Sequence, residues 1–125
     1  MHHTVPVRPP RPLTEHERQI ADRLLSIQFP GREGLQQQLA TAHIDGLCSC
    51  GCPSIIFSVP DSVPSADVKR RIPVEAEVPD KDGVTIHILL HVQDGKLREL
   101  EFYRDDGEPI IAVPDPGGLH VFTLD

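Results

Sequence analysis

Three cysteines stand at alternate positions of the stretch "DGLCSCGCPSI": Cys48, Cys50 and Cys52. Thiolates are soft ligands, and zinc takes four of them, or a mixture with imidazoles, in tetrahedral geometry. Its usual sources are paired C-x₂₋₄-C or Cys/His elements. Here the spacing is C-x-C-x-C, with His43 upstream, so the candidate metal set is Cys50, Cys52, Cys48 and His43. A fully extended run would hold Cys48 and Cys52 roughly 13 Å apart, too far for one ion. A metal site therefore needs Gly51 to turn the chain. Two other chemistries fit the same residues. Cys48 can face Ile55 as a small hydrophobe while Cys50 and Cys52 line a tight turn, or the thiols can do redox work. Zinc is thus the alternative to having no cofactor.

A second constellation depends on strand register. The segments "IPVEAEV" (72–78), "VTIHILLHV" (84–92) and "KLRELEFYR" (96–104) alternate apolar and polar residues, as half-buried strands do. Asp82-Gly83 and Asp94-Gly95 mark turns between them. A two-residue turn at Asp94-Gly95 would pair Val92 with Leu97 and carry Glu99 and Glu101 into the core, which is costly. A three-residue loop pairs Val92 with Lys96 instead. Leu100 then faces Ile88, Phe102 faces Ile86, and Leu97 points outward. On this register Glu75 and Glu101 flank His87 on the outer sheet face. Glu77, Glu99, His91 and Tyr103 lie close by. Flanking carboxylates raise a histidine pKa, so His87 would be a pH-sensitive contact, a weak metal site or a proton-transfer group. As a surface, Glu75, Glu77, His87, Glu99, Glu101 and Tyr103 form a candidate partner-binding patch, with an aromatic and aliphatic centre inside a charged surround.

These segments belong to a chain of 125 residues, one domain by length. Its net charge is −7. That excludes the basic footprint of a nucleic-acid or anionic-membrane binder and suits solubility or a basic protein partner. No apolar run approaches the ~20 residues of a membrane span, and "MHHTVPVRPPRP" has no signal-peptide h-region. Three clustered cysteines are no disulfide framework, so the expected setting is the reducing cytoplasm.

Residues 1–12 carry Pro6, Pro9, Pro10 and Pro12 and read as a disordered polyproline-like arm, with residues 13–125 as the domain. Thr14 and Glu17 make a capping box ahead of Ile20, Leu24 and Ile27. Pro30-Gly31 ends that helix. A shorter helix at about 32–42 follows, with Leu35 and Leu39 as its apolar stripe and the Gln36–Gln38 run mostly off it. Segments 43–49 and 54–59 read as a hairpin, and a last edge strand is expected at about 119–124. The expected fold is α+β: two N-terminal helices packed on one face of an antiparallel meander sheet of four to six strands.

The runs "FPGREGLQQQLATAHIDGLCSCGCPSI" and "DGKLRELEFYRDDGEPI" resemble a group of small uncharacterised bacterial proteins. These share a helical N-terminal segment, a C-x-C-G-C-P-[ST] element and a D-G-x-L-x-x-L-E-x-Y hairpin. The resemblance covers roughly residues 14–113 and implies a fold but no activity.

The chain contains no G-x-G-x-x-G, G-x-S-x-G or phosphate loop, and spacing alone assembles no nucleophile–base pair. The residues point away from an enzyme. The leading expectation is a non-catalytic cytoplasmic interaction module, of immunity or accessory type, that engages a protein partner through the acidic sheet face. The rival is a metal-binding or thiol-redox protein centred on the cysteine turn.

Overall fold

The structure, a computed structural model, describes residues 4–124. Helix α1 spans Glu15–Leu24 and begins where the sequence signals it. The Thr14 side chain accepts from the Glu17 amide at 3.1 Å, and the Glu17 carboxylate accepts from the Thr14 amide at 2.9 Å. Ile20, Ala21 and Leu24 turn inward. Helix α2 spans Arg32–Leu39 and buries Leu35, Gln38 and Leu39. Both helices share one core with Ile44, Phe57, Val74, Ile88 and Leu100 of the strands.

The strands are β1 (Thr4–Pro12), β2 (His43–Cys48), β3 (Ile55–Ser58), β4 (Val74–Pro79), β5 (Thr85–Gln93), β6 (Lys96–Arg104) and β7 (His120–Phe122). They form one seven-stranded antiparallel sheet in the order β1-β2-β3-β6-β5-β4-β7. This overturns the expected four- to six-stranded meander. Strand β3 pairs with β6 rather than β4, because the polar segment 59–73 crosses over the β5–β6 turn before β4 begins. The crossing is pinned by the Ala66 amide, which donates to the Gly95 carbonyl at 2.8 Å. A sheet of this order places its central strands late in the chain, where local patterning gives no sign of it.

The proline-rich segment expected as a disordered arm is instead strand β1, as far as it is described. Residues 1–3 of that arm and Asp125 of the expected domain lie outside the described residues. Proline cannot donate to a ladder, so it is tolerated at a sheet edge, and β1 pairs with β2 alone. Arg11 fixes the edge by donating two hydrogen bonds to Glu17 of α1, at 2.9 and 3.0 Å.

The β5–β6 hairpin solves the carboxylate problem in a different way from the expected three-residue loop. The turn is a two-residue one, with Gln93 paired to Lys96, and Asp94 and Gly95 both at positive φ, 52° and 75°. Val92 pairs with Leu97, but the next pair is His91 with Glu99. Arg98 is the extra residue of a β-bulge, and the bulge restores the parity that the tight turn would have reversed. Leu97, Leu100 and Phe102 are all buried as a result. Leu100 faces Leu90 and Phe102 faces Ile88, two positions from the expected partners, and Leu97 points inward rather than outward.

Gln38 supports this device. Its amide nitrogen donates to the carbonyls of Gly95 at 2.7 Å and Pro64 at 3.1 Å, and its oxygen accepts from the buried Leu97 amide at 2.9 Å. Gln38, in a run expected to lie mostly off the apolar stripe, is fully buried, because the bulge leaves backbone groups that require a partner. Gln38→Leu keeps the volume and removes all three bonds. It should lower unfolding stability by about 2–4 kcal/mol, read as a shifted urea midpoint, and an unchanged midpoint would remove Gln38 from this role.

Candidate metal centre

The cysteine turn connects β2 to β3. Cys48 closes β2 and is buried, Cys50 is exposed, and Cys52 is half-buried. The Gly51 amide donates to the Cys48 carbonyl at 3.2 Å, closing a tight turn. Gly51 has φ +83°, a left-handed conformation that side-chain-bearing residues rarely adopt. The turn folds the extended C-x-C-x-C run onto itself. All three Sγ atoms lie within 4.8 Å of one another, and Cys48 Sγ is 2.9 Å from Cys50 Sγ. Tetrahedral Zn–S bonds of about 2.3 Å require sulfurs roughly 3.8 Å apart, a value the observed separations bracket. The three thiols can hold a metal ion.

The Cys52 amide donates to Cys50 Sγ at 3.4 Å, and the Cys52 thiol donates to the Ser54 hydroxyl oxygen at 3.3 Å. Ser54 is buried and also binds the backbone of Phe102, accepting from its amide at 2.9 Å. The β3–β6 ladder stops at Ile55–Leu100, and Ser54 takes over where the strands part. Burial, followed by its hydrogen bond to Cys50 and its proximity to Cys52, pushes the Cys48 thiol up to about 12. A metal-free cluster therefore keeps that proton.

His43 does not join the cluster. It opens β2 at the end opposite Cys48, roughly 17 Å away along the strand. Its Nδ1 lies 3.1 Å from the Thr41 carbonyl.

The gap between the cysteine turn and the end of β6 is a cavity of about 410 Å³, lined by Cys50, Cys52, Phe102, Tyr103, Ile110 and Ile111 among others. That volume is in the range of small-molecule sites. The segment that carries Ile110 and Ile111 has no regular secondary structure. It is held by the buried Asp80 carboxylate, which accepts from the amides of Ile111 at 2.7 Å, Lys81 at 2.8 Å and Ala112 at 3.2 Å. Arg104 donates to the same carboxylate at 2.9 Å and also bonds Asp82 and Asp106. Burial pushes the Asp80 carboxyl up, but these amides and the guanidinium outweigh it and hold it at about 2. Sequence reading missed Asp80, Arg104, Ser54 and the cavity. Their signal was limited to Asp-rich turns, which look the same whether exposed or buried.

The outer sheet face carries Glu75, Glu77, His87, Glu99, Glu101 and Tyr103 together, but not in the expected trio. The β4–β5 pairing is Glu77 with His87, and Glu75 lies across from Leu89. The β5–β6 pairing sets Tyr103 beside His87 and Glu101 beside Leu89. His87 therefore stacks on Tyr103 with ring centroids 4.8 Å apart and hydrogen-bonds Asp105. Glu101 accepts from His91 Nε2 at 2.8 Å. Burial, then the negative charges of Glu75, Glu101, Asp105 and Glu77, push the Tyr103 phenol above its ordinary value.

The family model described as "Domain of unknown function (DUF6984)" matches residues 10–114. The chain belongs to the DUF6984 family. No curated protein and no solved structure matches it. The matched span of this DUF6984 chain contains both helices, strands β2 to β6, the three cysteines and the cavity. It stops short of β7. Among the described residues, no helix is long and apolar enough to cross a membrane.

Proposed function

We propose that this DUF6984 chain binds a single thiophilic metal ion, zinc being the best fit, at Cys48, Cys50 and Cys52. One observation carries the reading: a turn closed at Gly51 brings three sulfur atoms within 4.8 Å of one another. A thiolate set selects soft ions such as zinc or copper(I) over magnesium and calcium. The Cys52 amide and Ser54 hydroxyl support it as outer-shell groups that orient the sulfurs.

Zinc titration of reduced full chain against a colorimetric chelator tests this. The expected result is one zinc per chain, with all three thiols shielded from alkylation. No zinc uptake and free alkylation would overturn it. The 2.9 Å approach of Cys48 and Cys50 favours one second reading, a reversible disulfide. In that case a disulfide oxidant takes two electrons and two protons from the pair, and the thiol count falls from three to one without metal. Partner capture by the acidic sheet face is a separate proposal, which charge reversal at Glu75 and Glu101 would test.

A further inference from the structure

The metal reading leaves the cavity beside the cysteine turn unused. Its walls are apolar where solvent reaches them. Tyr103, Ile111 and Val113 all line it, and all three are exposed. The other large hydrophobics exposed among the described residues are Val5, Leu47 and Leu124, and none of these lines the cavity. Exposed apolar side chains thus gather round one opening, with the buried Phe102 as a further wall. A cluster of that kind marks a binding site.

The wall is also held in place. Residues 110–113 have no regular secondary structure. Even so, the buried Asp80 carboxylate fixes the Ile111 and Ala112 amides, and Arg104 fixes Asp80. Burying that ion pair costs desolvation. It secures the Ile111 backbone while leaving the side chain in solvent, where core packing gains nothing from it. A wall formed in advance spares a ligand the cost of ordering it.

Charge selects the ligand. Arg104 is the one cation lining the cavity among the described residues, and its guanidinium is already bonded to Asp80, Asp82 and Asp106. No positive group is left to meet an anion there. Glu108 lines the cavity and is exposed. At Tyr103, burial and then the negative charges of Glu75, Glu101, Asp105 and Glu77 push the phenol above its ordinary value, so the field at that wall is negative. Such a recess attracts cations and repels anions, and an aromatic ring gains a further contact from an ammonium group. A cavity of about 150 Å³ already takes benzene, and this one, at about 410 Å³, has room for a ring and a short chain. We propose that the cavity binds a small organic cation, an ammonium group carried on an aryl or alkyl body. The site goes beyond the metal reading and does not require the ion.

The test titrates the reduced full chain, without added metal, with three matched probes and follows the backbone amides by NMR. The probes are 4-phenylbutylammonium, the neutral 4-phenylbutanol and the anionic 4-phenylbutyrate. The ammonium should bind at least about threefold tighter than the alcohol and at least about tenfold tighter than the carboxylate, with shifts at Tyr103, Ile111 and Val113. Glu108→Gln should at least halve the ammonium's advantage over the alcohol. Ile111→Ser should weaken ammonium and alcohol alike, by about fivefold. Both positions are exposed, so the urea midpoint should not move. Val113→Ser, at another exposed wall position, replaces Ile111→Ser if it does. Equal affinity for ammonium and alcohol, tighter binding of the carboxylate, shifts confined to other surfaces, or no binding by any probe overturns the proposal. Zinc uptake is read in a separate titration, so failure of the metal centre and failure of this site are distinguishable.

Discussion

Cys50→Ser should lower zinc affinity by roughly a thousandfold or more and leave the fold intact. Cys50 is exposed, so exchanging sulfur for oxygen there disturbs no packing. The loss is chemical. Serine stays protonated at neutral pH and is a hard, weak ligand, so the ion would keep two sulfurs and lose the chelation that a single turn provides. His43→Ala is the matched control. The sequence placed His43 in the ligand set, but the structure puts it at the other end of β2, bonded to Thr41, and its removal should change zinc affinity less than about twofold. Competition titrations against a chelator of known affinity measure both. Equal losses in the two variants would return His43 to the site, and no loss in Cys50→Ser would end the case for the cluster.

Arg104→Met should release the wall of the cavity. Arg104 bridges Asp80, Asp82 and Asp106, and its guanidinium is held even further above its ordinary value, first by Asp106. Methionine keeps most of the volume but leaves the Asp80 carboxylate buried without its cation, a loss known to be severe. The Ile111 and Ala112 amides that Asp80 holds should lose hydrogen-exchange protection by roughly a hundredfold, and the C-terminal segment would leave the cavity. The sign with pH follows from Asp80. Its folded value of about 2 lies below the ordinary 3.8, so its contribution is complete above about pH 4 and is lost as pH falls towards 2. In Arg104→Met the carboxyl is held down less firmly, so acid unfolding should begin at a higher pH. Unchanged protection at Ile111 and Ala112 would show that the wall stands without Arg104.

The β5–β6 hairpin shows why sequence reading was right in parity and wrong in device. The Leu100 and Phe102 pattern had to face the core, whatever the turn. Asp94-Gly95 is a strong two-residue turn signal, and from sequence alone a longer loop reconciles the two. The chain resolves it by bulging at Arg98, and the bulge depends on Gln38 from a helix more than fifty residues away. A second slip came from the β4–β5 pairing. Shifted by two residues, it keeps every side chain on its face but changes every neighbour, so His87 meets Glu77 and Tyr103 rather than Glu75 and Glu101.

Local chemistry was enough for the first helix cap at Thr14, the strand segments, the inward Ile and Val positions and the cysteine motif, because each depends on residues within a few positions of one another. Strand order, the ordering of the proline-rich edge, the burial of Gln38, and the Asp80–Arg104 clamp required the folded chain. Each is a contact between segments far apart in sequence, and its energy exists only once the backbone polar groups and charges of both have left water together. The cysteine site lies between the two cases. Its ligands are written in one short motif, but whether they converge was decided by the turn that closes at Gly51.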